Sequence, residues 1–154
     1  MSYHKKGSPS IRDYKPGPWD NDWEPIAKLG GGGQGLTFKV RSKTDSNQLG
    51  TLKILRYDHS SKARVRMHRE TLMLDTFSHP GIPRMISTNS KDYRDKVPLY
   101  VVLEYIHGST LKDQISNGKL SFADAIQFFR TILDIVAEIN EAGGFNRDIK
   151  PENI

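Results

Sequence analysis

The run Gly30-Gly-Gly-Gly-Gln-Gly35 limits what this chain can fold into more than any other feature, because it separates two stretches that read as strands. Trp23-Glu-Pro-Ile-Ala-Lys-Leu29 leads into it, and Leu36-Thr-Phe-Lys-Val40 follows with the alternation of a strand. A dinucleotide-binding fingerprint passes from a strand into a helix, so a glycine run that passes into a strand is a different device. Asn47 and Gly50 mark a turn before Thr51-Leu-Lys-Ile-Leu55, another strand. The segment therefore predicts an antiparallel meander of three strands. A glycine turn at its first corner lets backbone N–H groups approach anionic oxygens that a Cβ would block, while a flexible linker is the other reading of the run in isolation.

The period changes after Ser60. Val65, Met67, Leu72, Leu74 and Phe77 sit among Lys and Arg without alternation, which predicts a helix to Phe77, stopped by His79-Pro80-Gly81. Two more strands are expected, around Arg84–Thr88 and Leu99–Tyr105, with Lys91–Lys96 as the polar turn between them. Beyond Gly108 the pattern is helical. Ser121 is placed to cap a helix, with Asp124 three residues on, and Ala125, Phe129, Ile132, Leu133, Val136 and Ile139 follow at helical spacing up to Gly143-Gly144. Phe128 and Ile135 widen the apolar sector, so this helix expects cover on most sides. Residues from Met1 to about Asp22 read as a flexible polar arm. The expected class is α+β.

Composition excludes several alternatives. The chain has 154 residues, 36% hydrophobic and 27% charged, with no apolar run of membrane-spanning length. Met1-Ser-Tyr-His-Lys-Lys has no apolar core behind it, so no secretory signal is expected. The absence of cysteine rules out disulfides and thiolate metal sites and is compatible with a reducing, cytoplasmic setting. A net charge of +5 favours anionic partners such as nucleotide phosphates but is too diffuse to indicate nucleic acid. A polyanion-binding surface built from Arg56, Lys62, Arg64, Arg66 and Arg69 is a further reading, and would lose affinity steeply with salt.

Three elements carry chemistry. Lys53 lies in a strand between apolar neighbours, where an ammonium wants an anion. Glu70, on the following helix, could pair with it and fix it where it meets phosphates. Asn146-Arg-Asp-Ile-Lys-Pro-Glu-Asn153 packs a carboxylate, a cation and a carboxamide into one loop. Asp148 can orient an attacking hydroxyl and accept its proton, Lys150 can offset charge on a moving phosphoryl group, and Asn153 can offer an oxygen to Mg2+.

In this order and spacing the motifs resemble the eukaryotic-type (Hanks-type) serine/threonine protein kinases from about Trp23 to Ile154. The resemblance implies a small lobe with a five-stranded antiparallel sheet and one helix over residues 23–106. The first helices of a larger, helical lobe would then occupy 107–154, and residues 1–22 would form the arm. It implies ATP and Mg2+ as cofactors, bound between lobes. Gly30, Gly32 and Gly35 match the phosphate loop, Lys53 and Glu70 the phosphate-anchoring pair, and Leu103, Glu104 and Ile106 the segment behind the adenine. Thr37 and Thr51 match its roof, Asp148 and Lys150 the catalytic groups, and Asn153 a metal ligand. Lysine two residues after the aspartate is the serine/threonine form.

Four positions depart from the family pattern. Asn146 replaces a histidine, Thr37 and Thr51 replace valine and alanine, and Gly144 replaces a branched residue in a short strand before the loop. The chain also stops at Ile154, before the family's D-F-G aspartate. The expectation is negligible kinase activity for the polypeptide alone, against an unknown protein substrate. Self-association is expected through Phe128, Phe129, Ile132, Ile135 and Val136, left without cover. A non-catalytic partial kinase, or pseudokinase, that binds nucleotide or protein is the alternative reading.

Overall fold

The computed structural model describes residues 11–32, 35–56, 60–118, 120–144 and 149–154. Five strands, β1 (Trp23–Gly32), β2 (Gly35–Ser42), β3 (Leu49–Leu55), β4 (Met85–Thr88) and β5 (Leu99–Glu104), form one antiparallel sheet in the order β1-β2-β3-β5-β4. The helices among the described residues are α1 (Ser61–Thr76), α2 (Leu111–Ser116) and α3 (Phe122–Glu141). The meander, the two later strands and both long helices fall where periodicity places them. The α+β class and the kinase-like order of elements therefore hold. The chain forms two compact units, one from the residues up to Leu72 plus Arg84–Tyr105, the other from Met73–Pro83 plus Ile106–Ile154.

In the first unit the strand period of two sorts side chains onto two faces. Phe38 and Val40 of β2, Leu52 and Ile54 of β3, and Tyr100 and Val102 of β5 are buried on one face, with Trp23 of β1 beside them. Pro25 is tolerated because β1 lies at the sheet edge, next to an irregularity in its pairing with β2.

Here the structure corrects the reading of residues 1–22 as a flexible arm. Residues 1–10 lie outside the described part, but 11–22 pack against the sheet. Trp19, in a 3-10 turn at Pro18–Asn21, is 2% exposed and meets Tyr100 edge-on at 5.8 Å. The Tyr14 ring stands edge-on to Phe38 at 5.1 Å. Trp19 Nε1 donates to the Tyr14 hydroxyl at 2.9 Å, Tyr14 donates to the Asp20 carboxylate, and that carboxylate accepts the Gly17 N–H at 2.6 Å. Composition suggested an arm because aromatic residues this sparse carry no period. A single indole nevertheless buries enough area to contribute about 2–3 kcal/mol.

This strap has a pH signature. Burial, reinforced by Asp20, raises the pKa of Tyr14 well above that of an ordinary phenol, and burial also raises that of Tyr100. An unfolded tyrosine loses its proton near pH ~10. Above that pH the unfolded chain holds fewer protons than the folded one, so folding stability falls as pH rises. In a 295 nm titration of the six tyrosines, Tyr14 and Tyr100 should ionise only as the far-ultraviolet dichroism collapses. A single ordinary midpoint with native dichroism would refute this.

The opposite face carries α1. Met67 of the helix packs with Leu55, Leu99 and Val101, and Met85, Val97 and Leu103 close around them. Ser60 Oγ accepts the Ala63 N–H at 3.3 Å and starts the helix. Arg64, grouped with the surface cations in sequence, is instead 5% exposed. Its Nε donates to the Tyr93 carbonyl at 2.9 Å and Nη1 to Val97 at 2.8 Å. Nη2 donates to the backbone carbonyls of both Asp92, at 3.1 Å, and Asp95, at 2.7 Å. The polar turn between β4 and β5 is thus built around a guanidinium.

In the second unit α2 and α3 both begin with capping boxes, Thr110 with Asp113 and Ser121 with Asp124. Ile135 of α3 occupies the space that a side chain at Gly81 would need. Gly144 is buried, and the tip of Met73 fills the volume next to it. The residues expected to lack cover are only partly so: Phe128, Ile132, Ile135 and Val136 are half-buried, and Phe129 is 66% exposed. The exposed stripe is Phe122, Ile126, Phe129 and Leu133, one side of the helix.

Candidate functional site

The sheet register puts the site's strand residues on one face. Thr37 of β2, Lys53 of β3 and Val101 of β5 lie side by side in one row. Lys39, Thr51, Leu103 and Met85 make the next. Cross-strand partners share a face, so Thr37, Thr51, Lys53 and Leu103 all look toward the side on which α1 packs. No hydrogen bond joins the Thr37 or Thr51 hydroxyl to another described residue.

Lys53 Nζ donates to Glu70 Oε2 of α1 at 3.4 Å, the pairing expected from sequence. The two side chains are 37% and 48% exposed, so the pair adds little to stability. Its consequence is positional: the ammonium is held over the sheet face rather than left to wander.

The glycine hairpin adjoins this row. Gly30 pairs with Thr37, and Gly32 with Gly35, where β1 and β2 meet. The two ends of the motif are glycine for different reasons. A side chain at Gly30 would meet nothing within 4 Å, so that position faces open space. Gly35 has φ +119, and a Cβ there would overlap the Ile54 carbonyl oxygen of β3. The family resemblance explains the motif by phosphate approach, but at Gly35 the structure adds a packing requirement.

At the end of β5, Glu104 is tied to Arg84 twice: its N–H donates to the Arg84 carbonyl at 2.8 Å, and its Oε1 accepts the Arg84 N–H at 3.1 Å. The Tyr105 N–H donates to the Leu49 carbonyl at 3.3 Å, and Lys39 Nζ lies 4.0 Å from the centre of the Tyr105 ring. Ile106 begins the longer stretch of the second unit and is 60% exposed.

Asn146, Arg147 and Asp148 lie outside the described residues. Lys150 precedes a 3-10 turn at Pro151–Asn153 and Asn153 closes it, its N–H donating to the Lys150 carbonyl at 2.9 Å. Two links tie this segment to α2: the Leu111 N–H donates to the Ile154 carbonyl at 2.7 Å, and Lys112 Nζ meets Glu152 Oε1 at 3.1 Å. A hydrogen bond from its own backbone N–H, then Lys112, hold the Glu152 carboxyl below its usual range. Sequence reasoning missed this tether, since nothing in spacing joins residues so far apart in the chain. Among the described residues no three His, Cys, Asp or Glu side chains converge as a metal site, and no helix is long and apolar enough to cross a membrane.

A family model of the protein kinase domain matches residues 23–154. The chain belongs to the protein kinase family. It is 30% identical over 154 residues to CBL-interacting protein kinase 21 of Oryza sativa subsp. japonica, covering 98% of this chain and 27% of that protein. It is also 30% identical over 135 residues to serine/threonine-protein kinase PrkC of Bacillus subtilis (strain 168), covering 86% and 20%. Against CBL-interacting serine/threonine-protein kinase 8 of Arabidopsis thaliana the identity is 30% over 129 residues, covering 79% and 28%. This kinase chain therefore spans about a quarter of the length of the curated relatives it matches.

Proposed function

We propose that this chain provides the nucleotide-anchoring part of a serine/threonine protein kinase that transfers the γ-phosphoryl group of ATP to a protein hydroxyl. The observation that carries the reading is the Lys53–Glu70 pair, set on one sheet face beside the glycine hairpin, with open space at Gly30. On this reading the ammonium meets α- and β-phosphate oxygens while backbone N–H groups of the glycine segment approach them. Leu103, Glu104 and Ile106 border the base, and Thr37 and Thr51 roof it. Asp148 orients the acceptor hydroxyl and takes its proton, and Lys150 offsets charge on the transferred group. Magnesium, when bound, screens the phosphate charges, and Asn153 is the described residue suited to offer it an oxygen. The described residues do not by themselves supply a carboxylate set for the ion, so no step is assigned through it. The setting we assign is the cytoplasm.

The Thr37 and Thr51 hydroxyls, without a hydrogen-bond partner among the described residues, favour a second reading, a partial kinase that holds nucleotide weakly without turnover, because a hydroxyl facing an apolar base stays unsatisfied. One experiment addresses the anchoring claim common to both. The Tm of the chain should rise with ATP, by the equivalent of about 2.7 kcal/mol of stability when ATP reaches a hundred times its Kd. Lys53→Met should abolish that rise while leaving the ATP-free Tm almost unchanged, since the pair is exposed. An equal rise in the variant would remove Lys53 from the site.

A further inference from the structure

We propose that the cavity between the first turns of α1 and the β4–β5 loop is a docking site for an acidic peptide segment carrying a phosphate or adjoining carboxylates. The cavity measures about 440 Å3, and its charged lining is Arg64, Arg94 and Lys96 against the single carboxylate of Asp95. Three cations against one anion leave an excess of two positive charges, the charge of one phosphate dianion in reverse.

The cations are of different kinds, and that difference shapes the site. Arg64 is buried, and its four hydrogen bonds end on neutral carbonyl oxygens, which hold the guanidinium in place without cancelling its formal charge. A fixed charge in a low-dielectric wall projects a field into the adjoining cavity. Arg94 lies over the Tyr93 ring at 5.3 Å, so its planar fork is steadied at the rim, suited to two-pronged contact with a phosphate or carboxylate. Lys96 adds an exposed ammonium. Val65 and Tyr93 give the cavity an apolar wall for a side chain next to the anion. Ser61, in the first turn of α1, brings the positive end of a 16-residue helix to the same edge.

The shape favours a peptide over a polynucleotide. A nucleic acid needs a cationic track several phosphates long, whereas here the cations gather around one hole and Asp95 interrupts them. Lys53 is absent from the lining, so the site is separate from the proposed nucleotide anchor.

The test is fluorescence polarisation on the whole chain, using a fluorescein-labelled decapeptide with one phosphothreonine among glutamates. Saturable binding is expected, with inorganic phosphate competing and ATP at its own saturating level not displacing the peptide. The Arg94→Ala/Lys96→Ala double variant should bind at least tenfold more weakly at unchanged Tm, because both side chains are exposed. The control Lys15→Ala/Arg130→Ala removes the same charge elsewhere and should bind as the parent does. A glutamate-only peptide that binds as tightly assigns the preference to carboxylates, and one that binds less tightly assigns it to phosphate; either supports the site. No binding, equal loss in the control variant, or tighter binding of a single-stranded RNA of matched charge would overturn it.

Discussion

Gly35→Ala is expected to lower folding stability by about 3 kcal/mol or more, a large share of the roughly 5–15 kcal/mol that holds a domain folded. Two independent effects add. The backbone at position 35 has φ +119, outside the range an alanine adopts without strain, and the new methyl would overlap the Ile54 carbonyl oxygen. Neither can relax cheaply, because Ile54 sits in the middle of the sheet, paired with Leu36 on one side and Tyr100 on the other. Urea unfolding followed by dichroism measures the change. Gly30→Ala serves as the internal contrast: with open space around it, stability should move by less than about 1 kcal/mol, the effect falling instead on ATP affinity. Similar stability losses at both positions would mean that the hairpin is held by glycine flexibility in general rather than by the collision at Ile54.

Trp19→Ala is expected to cost about 3–5 kcal/mol, the usual range for removing a buried large aromatic side chain. For a chain of this length that corresponds to a fall in Tm of about 10 °C. The loss has two parts. The indole's own packing against Tyr100 disappears, and the Tyr14 hydroxyl loses the donor that helps hold it over Phe38. Gly17→Ala should act in the same direction without removing the tryptophan, since a methyl at position 17 would enter the indole ring. If residues 11–22 were a loose arm, both variants would melt within about 1 °C of the parent, and calorimetry separates these outcomes directly.

Where a residue's role is set by its neighbours in sequence, the sequence was readable. The alternation in Leu36–Val40 and Thr51–Leu55 survives as strand because each strand has one buried face. Ser121 and Asp124 form their capping box because both partners lie within one turn. Lys53 and Glu70 meet because a strand lysine among apolar residues has few other anions to find. Roles created by distant chain were not readable. Arg64 looks like any helix cation, and only the loop near residue 95 makes it a buried scaffold. Trp19 is one aromatic residue among prolines and charges, and only the far face of the sheet gives it a place to go. The exposed side of α3 was misassigned by a neighbouring stripe, because an apolar sector that wide does not reveal which edge finds cover.

Gly144 and Met73 bear on how such a chain can change over generations. The thioether tip already occupies the volume where a larger residue at 144 would sit, so valine at 144 alone must displace it. Shortening Met73 alone opens a void. Each single step is therefore unfavourable, and the double exchange removes the collision with Met73 while the Ile139 side chain must still shift, so the cost of either replacement depends on whether the other is already in place.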